Sequence, residues 1–178
     1  MNPGSLRVCA IFLVLLASGI TASARAEGAG PCVGAVHRQF DFWIGRWRVT
    51  DAATGQKAGT SLIERLYGGC AIRENWSGSG LEGGSLNVVE RESGKWHQTW
   101  VDSSGARREF IGEMQDGRMV LVANVPRRGD PASSTQLRMT FTANADGSVR
   151  QFSDASNDGG ATWSPRYDLV YRRAERKP

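Results

Sequence analysis

Turn signals divide this chain at a steady interval, and their spacing restricts the possible folds more than any other feature of the sequence. Glycines next to Asn, Asp or Ser, such as Gly94 and Gly147, recur about every 8–12 residues along most of the chain. Several of the runs between turns alternate apolar and polar residues, as at Leu137, Met139 and Phe141, which is typical of a strand with one buried face. About ten such β-prone runs lie at 47–51, 60–67, 71–77, 85–91, 95–102, 107–114, 118–125, 136–143, 148–154 and 165–173. The pattern predicts an all-β antiparallel meander.

The number of strands and the region before them predict how the meander closes. With about ten strands, closure into a barrel removes the exposed edges of an open sheet. Ahead of the first strand, Phe40, Trp43 and Ile44 recur at helical spacing and predict a short helical turn or plug. The glycine-rich stretch GSGLEGG at 78–84 predicts a mobile hairpin loop. We expect a single barrel domain at 27–178, because no boundary or repeat stands out within a chain of 178 residues.

The first 26 residues have the three parts of a secretory signal peptide. Arg7 precedes an apolar run at 8–20, and small residues follow up to Ala26. As a helix this run rises about 20 Å, less than the roughly 30 Å of a bilayer's hydrocarbon core, so it is too short for a membrane anchor. We expect cleavage after residues 1–26, a secreted or periplasmic protein, and no transmembrane segment in the mature chain.

The charge of the chain argues against a nucleic-acid partner. The net charge is +4, and loss of Arg7 and Arg25 with the signal peptide would leave a mature chain with a net charge of 4 − 2 = +2. The remaining basic residues sit in short pairs close to Asp or Glu and form no continuous stripe that would track phosphates.

The three cysteines are divided by the predicted cleavage. Cys9 lies in the signal peptide and would be lost with it, whereas Cys32 and Cys70 remain. An even pair in an exported chain is most simply a disulfide. The alternative, a lipid anchor, is disfavoured because no cysteine falls at a plausible cleavage point.

The most distinctive segment is FDFWIGRWRV at 40–49, in which Gly45 and Trp47 form a G-x-W at the start of the first strand. In a barrel, such a glycine permits a tight bend and the tryptophan fills the closed end. Arg172 or Arg173 on the last strand could stack on the Trp47 ring. With the meander that follows, this segment resembles the calycin superfamily of lipocalin-like barrels.

A narrower resemblance covers roughly residues 32–172. FDFWIGRW, followed by GGCAIRENWSG, GKWHQTWVDSSG, DGSVRQ and DGGATW, resembles a family of exported calycin-like β-barrels of unknown function. This resemblance implies the fold, export and pairing of Cys32 with Cys70, and it implies no activity. Haem-binding nitrobindin barrels are similar in strand count and size but use a histidine late in the chain, whereas the last histidine here is His97. We therefore predict no cofactor.

Two of the runs carry the residues of a candidate ligand site. Alternation places Glu74 and Trp76 on one face of the third run. It places four residues on one face of the fifth run: Trp96, Gln98, Trp100 and Asp102. If these faces point inward, they form an aromatic wall with a few fixed polar groups, as a small-molecule pocket needs. The alternative is ordinary barrel packing, with the polar groups bonded to one another.

Catalytic and metal signals are weak. His37 and His97 are the only histidines and belong to no metal-binding spacing, so no metal site is predicted. No G-x-S-x-G elbow is present to hold a nucleophilic serine. An enzyme that pairs Glu74 with His97 or Asp102 is a minor hypothesis.

The segment SNDGGATW at 156–163 matches the Asp-box pattern of sialidase propellers. A single copy indicates a structured hairpin turn and not a propeller. In that turn Asp158 would bond loop backbone, Gly160 would supply a permissive dihedral, and Trp163 would pack beneath.

Together these features favour binding of a small, partly apolar molecule inside the barrel. The alternative function is a packed barrel that acts through its surface as an envelope or protein-interaction module. The two differ in whether the interior is hollow or filled. Neither the oligomeric state nor a protein partner is indicated by any pattern in the sequence.

Overall fold

A computed structural model of the chain describes Met1, residues 31–127 and residues 129–174. The predicted signal peptide, apart from Met1, lies outside the described residues. In the part of the chain that the structure describes, no helix combines the length and apolarity needed to cross a bilayer.

Ten strands make up almost all of the regular structure. The strands are β1 (Gly45–Asp51), β2 (Lys57–Leu66), β3 (Ala71–Gly78), β4 (Leu81–Val89), β5 (Trp96–Asp102), β6 (Arg107–Gln115), β7 (Arg118–Arg127), β8 (Asp130–Ala143), β9 (Val149–Ser156) and β10 (Ser164–Arg173). Two 3-10 turns, Ala35–Arg38 and Asp41–Trp43, precede β1, and a third, Tyr67–Gly69, joins β2 to β3. Each of the ten predicted runs overlaps one strand, and the predicted short helical turn ahead of the first strand is confirmed.

Each strand pairs antiparallel with its neighbours along the chain, and β10 pairs with β1 to close the sheet. The closing register places Trp47 opposite Arg173 and Val49 opposite Tyr171. Closure leaves no strand edge of this sheet without a partner, which removes the usual site of edge-to-edge association. The predicted all-β antiparallel barrel is confirmed.

The predicted mobile loop at 78–84 is wrong. β3 continues to Gly78 and β4 begins at Leu81, so the turn between them is short. Gly83 pairs with Trp76, and Gly84 pairs with Asn75. Glycine weakens a strand in isolation, and that preference suggests a loop here. These glycines instead lie where bulky side chains or backbone of neighbouring strands come too close for a β-carbon.

One end of the barrel is closed by an aromatic plug, defined as Phe40, Trp43, Trp96, Phe141 and Tyr171. Phe40 and Trp43 are fully buried, and their rings stack with centroids 4.8 Å apart. Phe141 lies 5.0 Å from Phe40 and 4.9 Å from Trp43. Phe40 lies between the two 3-10 turns, Trp43 ends the second, and the other rings come from β5, β8 and β10, so the plug joins both halves of the chain.

Trp47 packs edge-on against the plug residue Tyr171 and is held by contacts with the segment before β1 and with β10. Its indole Nε1 donates to the backbone oxygen of Trp43 at 2.8 Å. The Arg173 guanidinium lies 4.0 Å from the centre of the Trp47 ring and donates to the backbone oxygen of Ile44 at 2.5 Å. Gly45 has a φ of 147°, a backbone conformation that other residues rarely adopt, and a β-carbon there would also overlap the Arg173 guanidinium.

Cys32 and Cys70 form a disulfide, with their Cα atoms 4.9 Å apart, as predicted. The bond joins the segment before the first 3-10 turn to the connection between β2 and β3. It therefore ties the segment that carries the plug residues to the wall of the barrel.

Candidate functional site

The end of the barrel opposite the plug contains a cavity of about 460 Å³. Its walls come from β2 to β6 and β8 to β10. The lining residues are Ala58, Glu74, Trp76, Leu81, Gln98, Trp100, Asp102, Ser104, Arg108, Phe110, Leu137, Met139, Gln151, Ser153, Arg166, Tyr167, Leu169 and Tyr171. Apolar and aromatic side chains thus surround a small number of polar groups, the composition typical of small-molecule sites.

Five of the six candidate ligand-binding residues line this cavity: Glu74, Trp76, Gln98, Trp100 and Asp102. The sixth, Trp96, lies on the same face of β5 but deeper in the barrel, in the plug. Its ring packs edge-on against Phe40 at 5.6 Å, and its Nε1 donates to Gln39 Oε1 at 3.2 Å. Alternation predicts which face of a strand a residue is on but not its depth in the barrel, so the pattern groups Trp96 with the cavity residues.

Glu74 is the buried acid of the cavity. Its side chain is only 5% exposed. The Ser61 hydroxyl on β2 donates to Oε1 at 3.0 Å, and the Ser85 hydroxyl on β4 donates to Oε2 at 3.1 Å. Both serines are themselves buried, so each carboxylate oxygen receives one hydrogen bond from a neighbouring strand.

A line of buried amides extends this network toward β5. Asn87 Nδ2 donates to the backbone oxygen of Ile72 at 3.1 Å and to Ser85 Oγ at 3.0 Å. Gln98 Nε2 donates to Asn87 Oδ1 at 2.8 Å. Because Ser85 Oγ accepts one of the two Asn87 amide hydrogens, its own hydroxyl hydrogen is free to be donated to Glu74. The hydrogen bonds from Gln98 to Asn87, from Asn87 to Ser85 and from Ser85 to Glu74 therefore all run toward the Glu74 carboxyl group.

The burial of Glu74 outweighs these hydrogen bonds. Loss of water around the carboxylate raises the pKa of Glu74 from 4.5 to about 7, although the Ser61 and Ser85 hydroxyls lower it. The carboxyl group therefore ionises near neutral pH, whereas an exposed glutamate is ionised well below it.

We predict that Glu74 makes the stability of the free protein fall as the pH rises. The folded state keeps the proton up to about pH 7, whereas the unfolded state releases it near 4.5. The free energy of unfolding should therefore decrease by about 3 kcal/mol across that window, and this decrease should be absent from Glu74→Gln. Urea unfolding of both proteins at pH 5 and pH 8 measures the difference. Identical pH profiles for the two proteins would contradict the prediction.

The wall opposite Glu74 carries a second polar line that the sequence analysis missed. Tyr171 Oη donates to Gln151 Oε1 at 2.5 Å, and Gln151 Nε2 donates to Tyr167 Oη at 3.2 Å. Burial raises the pKa of Tyr167 to about 12 and raises that of Tyr171 well above its ordinary value, and the Glu74 charge acts in the same direction. Both hydroxyls therefore stay protonated. Alternation along β10 places these tyrosines on one face, a signal that could have found them.

Three charged residues and a serine surround the mouth of the cavity, which is defined as Asp102, Ser104, Arg108 and Arg166. Trp100 Nε1 donates to Asp102 Oδ2 at 2.8 Å, and the Ser104 hydroxyl donates to Oδ1 at 2.5 Å. Hydrogen bonds from Ser104 and Trp100 hold the pKa of Asp102 well below its ordinary value. Arg108 Nη1 lies 3.3 Å from Asp102 Oδ2, whereas Arg166 is exposed at the rim. Asp102 is thus a fixed anion that positions Trp100 and Arg108.

Glycines on adjacent strands make room for the two indole rings of the cavity wall. A β-carbon on Gly59 would lie 2.8 Å from the Trp76 ring, and one on Gly83 would lie 2.8 Å from the Trp100 ring. The same added atoms would lie 2.6 Å and 2.7 Å from backbone oxygens of neighbouring strands. These positions therefore require glycine for close packing, a requirement that the single sequence does not reveal.

Replacing Gly83 by alanine should strain the cavity wall. The added methyl group meets a rigid backbone oxygen as well as the Trp100 ring, so we expect a loss of about 1–3 kcal/mol in unfolding free energy and a shift in tryptophan emission. Gly34→Ala is the control, because the nearest atom to its β-carbon lies 3.9 Å away. Urea unfolding followed by fluorescence measures both variants, and equal stability of the two would contradict the prediction.

The structure does not bring His97 to Glu74. Trp96 and Gln98 point inward, so His97 lies on the outer face of β5, where its Nε2 is 3.2 Å from Glu90 Oε2. The hypothesis of a catalytic pair formed by Glu74 and His97 is therefore wrong. No group of three or more His, Cys, Asp or Glu side chains suited to a metal ion occurs among the described residues.

The Asp-box segment forms a hydrogen-bonded turn between β9 and β10. Asp158 accepts from the backbone nitrogen of Thr162 at 2.9 Å and from the Ser156 hydroxyl at 2.7 Å. Trp163 Nε1 donates to the backbone oxygen of Gly160, whose φ is 95°. The Arg138 guanidinium, on the outer face of the barrel, lies 3.8 Å from the centre of the Trp163 ring. None of these residues lines the cavity.

A scan against models of known protein families finds no match to this chain, and a search of curated proteins finds none either. The closed ten-strand antiparallel barrel is consistent with the calycin-like fold that the sequence resembles.

Proposed function

We propose that this protein binds a small, partly apolar molecule inside the barrel. The single observation that carries the proposal is the cavity of about 460 Å³ between the mouth and the plug. Small-molecule sites have volumes of about 300–1,000 Å³, and protein interiors otherwise pack with few voids larger than a water molecule. The alternative of a barrel that acts only through its surface requires a filled interior, and the cavity counts against it.

The chemistry of the lining supports a ligand of mixed character. Trp76, Trp100, Phe110 and Leu169 offer apolar area, and the polar lines that end at Glu74 and at Tyr167 offer fixed hydrogen-bonding atoms on facing walls. Buried polar groups held by their own partners keep one geometry, so they orient a ligand at little entropic cost.

Native mass spectrometry of the protein purified from its own cells tests the proposal. We expect extra mass that is lost on denaturation, and a change in tryptophan emission when small apolar molecules are added. Ala58→Phe, which places a ring in the cavity, should remove both signals, whereas Ala53→Phe in an exposed turn should keep them. A bare mass in the unaltered protein, together with emission that no molecule changes, would rule out the binding function.

We also propose that the protein acts in the periplasm or outside the cell and belongs to the exported calycin-like family that its motifs resemble. The Cys32–Cys70 disulfide supports export, because disulfides persist in oxidising compartments. Cell fractionation and N-terminal sequencing test this proposal, with a mature protein that begins near Glu27 as the expected result. An intact N-terminus in the cytoplasmic fraction would contradict it.

A further inference from the structure

The cavity contains a buried carboxyl group, Glu74, for which the described part of the chain supplies no counterion. Within residues 31–127 and 129–174, no Lys, Arg or His nitrogen lies within 4.0 Å of the Glu74 oxygens. Proteins ordinarily pair a buried charge, because isolating it from water is costly. The other cavity acid, Asp102, already has Arg108 beside it.

The hydrogen-bond directions around Glu74 suit the ionised form. Ser61 and Ser85 each donate a hydroxyl hydrogen to one carboxylate oxygen, and the amide line from Gln98 through Asn87 leaves the Ser85 hydrogen no other role. Each oxygen of a carboxylate can accept more than one hydrogen bond. Glu74 also lines the cavity, so its remaining capacity is directed toward a ligand.

The aromatic lining suits a cation as well. Trp76, Trp100 and Tyr167 line the same cavity as Glu74. The faces of aromatic rings attract organic cations, and the attraction increases where water is excluded. Two cationic groups, Arg108 and Arg166, also line the cavity, but Arg108 pairs with Asp102 and Arg166 is exposed to solvent at the rim.

We infer that the ligand is a small organic cation, an ammonium group on an apolar or aromatic body, with its nitrogen bound by the Glu74 carboxylate. This inference rests on the proposed binding function and names the chemical class of the ligand. The ammonium group would complete the charge pair that the protein leaves open, and the apolar body would occupy the space between Trp76, Trp100 and Leu169.

Three probes of matched shape separate the ligand classes: 4-phenylbutylamine, 4-phenylbutan-1-ol and 4-phenylbutyrate, which differ in carrying a cation, a neutral hydroxyl or an anion. Calorimetric titration at pH 8 into the full protein measures each affinity. We expect the amine to bind at least about tenfold more tightly than the alcohol, and the acid to bind most weakly.

Two variants assign the preference to Glu74. Glu74→Gln keeps the size of the side chain, removes its charge and replaces one of its two accepting oxygens by an NH2 donor. The amine and the alcohol should then bind about equally. Glu64→Gln on β2 removes an exposed carboxylate that pairs with Arg73 at 2.7 Å, and it should keep the full preference for the amine.

The pH dependence of binding gives a second readout that needs no variant. The groups that face Glu74 across the cavity are Tyr167 and Tyr171, and those at the mouth are Asp102, Arg108 and Arg166. The raised pKa values of the two tyrosines and the lowered pKa of Asp102 keep these three groups in one charge state between pH 6 and 8. Protonation of Glu74, whose pKa is about 7, should weaken amine binding about tenfold from pH 8 to pH 6. The affinity for the alcohol should change little.

The outcomes distinguish this inference from the function on which it rests. Equal binding of amine and alcohol by the unaltered protein, or tighter binding of the acid, would overturn the cationic ligand while leaving the cavity a binding site. A preference for the amine that survives in Glu74→Gln would overturn the role of Glu74. If none of the three probes binds, the inference is overturned, whereas the proposed binding function fails only if native mass spectrometry also shows a bare mass and no added molecule changes the tryptophan emission.

Discussion

Replacing Trp43 by alanine is expected to lower the free energy of unfolding by about 3–5 kcal/mol, the range for removing a fully buried large aromatic side chain. Trp43 is at the centre of the plug, stacked on Phe40, 4.9 Å from Phe141 and 6.2 Å from Tyr171. Because these rings come from distant parts of the chain, the void cannot collapse by one local shift. Thermal and urea unfolding monitored by circular dichroism measure the loss, which corresponds to roughly 10–15 °C in Tm.

Two variants show whether this loss comes from the plug. Trp43→Phe keeps a ring and removes an indole Nε1 that is buried without a hydrogen-bond partner among the described residues, so its cost should be much smaller. Trp76→Ala removes the same atoms from the half-buried wall of the cavity and should also cost less. Losses of equal size for Trp43→Ala and Trp76→Ala would show that the plug does not dominate the core.

Removing the disulfide should cost about 4 kcal/mol of unfolding free energy in the double variant Cys32→Ser/Cys70→Ser. The bond closes a loop between residues 38 positions apart and thereby restricts the unfolded chain. The folded barrel keeps its strand pairing without the bond, so the variant should fold, and its urea midpoint should shift down. Unfolding with and without reductant measures the effect.

Reductant provides the matched control for the disulfide. It should move the midpoint of the unaltered protein to that of the double variant and leave the variant itself unchanged. Equal midpoints for the oxidised protein and the variant would contradict a stabilising role. The expected remaining function of the bond would then be local, to hold the segment before the plug against the connection between β2 and β3.

The strand pattern was predictable because its causes are local. Turn residues such as Gly94 and Gly147, which both have positive φ in the structure, mark the ends of strands wherever they occur. Alternation at Leu137, Met139 and Phe141 follows from the two-residue repeat of a strand and needs no knowledge of its neighbours. Gly83 favoured the wrong prediction of a loop, because the position requires glycine to make room for the Trp100 ring on β5.

Only part of the candidate site was predictable from the sequence, and there is a physical reason why the other residues were not. Glu74, Gln98 and Trp100 lie on β3 and β5, where alternation and unusual composition coincide. Gln151, Tyr167 and Tyr171 complete the opposite wall from β9 and β10, and they meet the first group only through barrel closure. Trp96 shares a face with the cavity residues but lies in the plug, because depth along the barrel depends on the register between strands.

Local patterns in the chain were therefore sufficient for an all-β barrel, the position of its strands and the aromatic segment that closes it. Turn chemistry and the two-residue repeat act over a few residues, so one sequence expresses them directly. Local patterns could not predict the hollow interior or the burial of the Glu74 carboxyl group. Whether inward side chains fill a barrel depends on their summed volume across all ten strands in a fixed register. The burial of one acid depends on which side chains the closed sheet places around it.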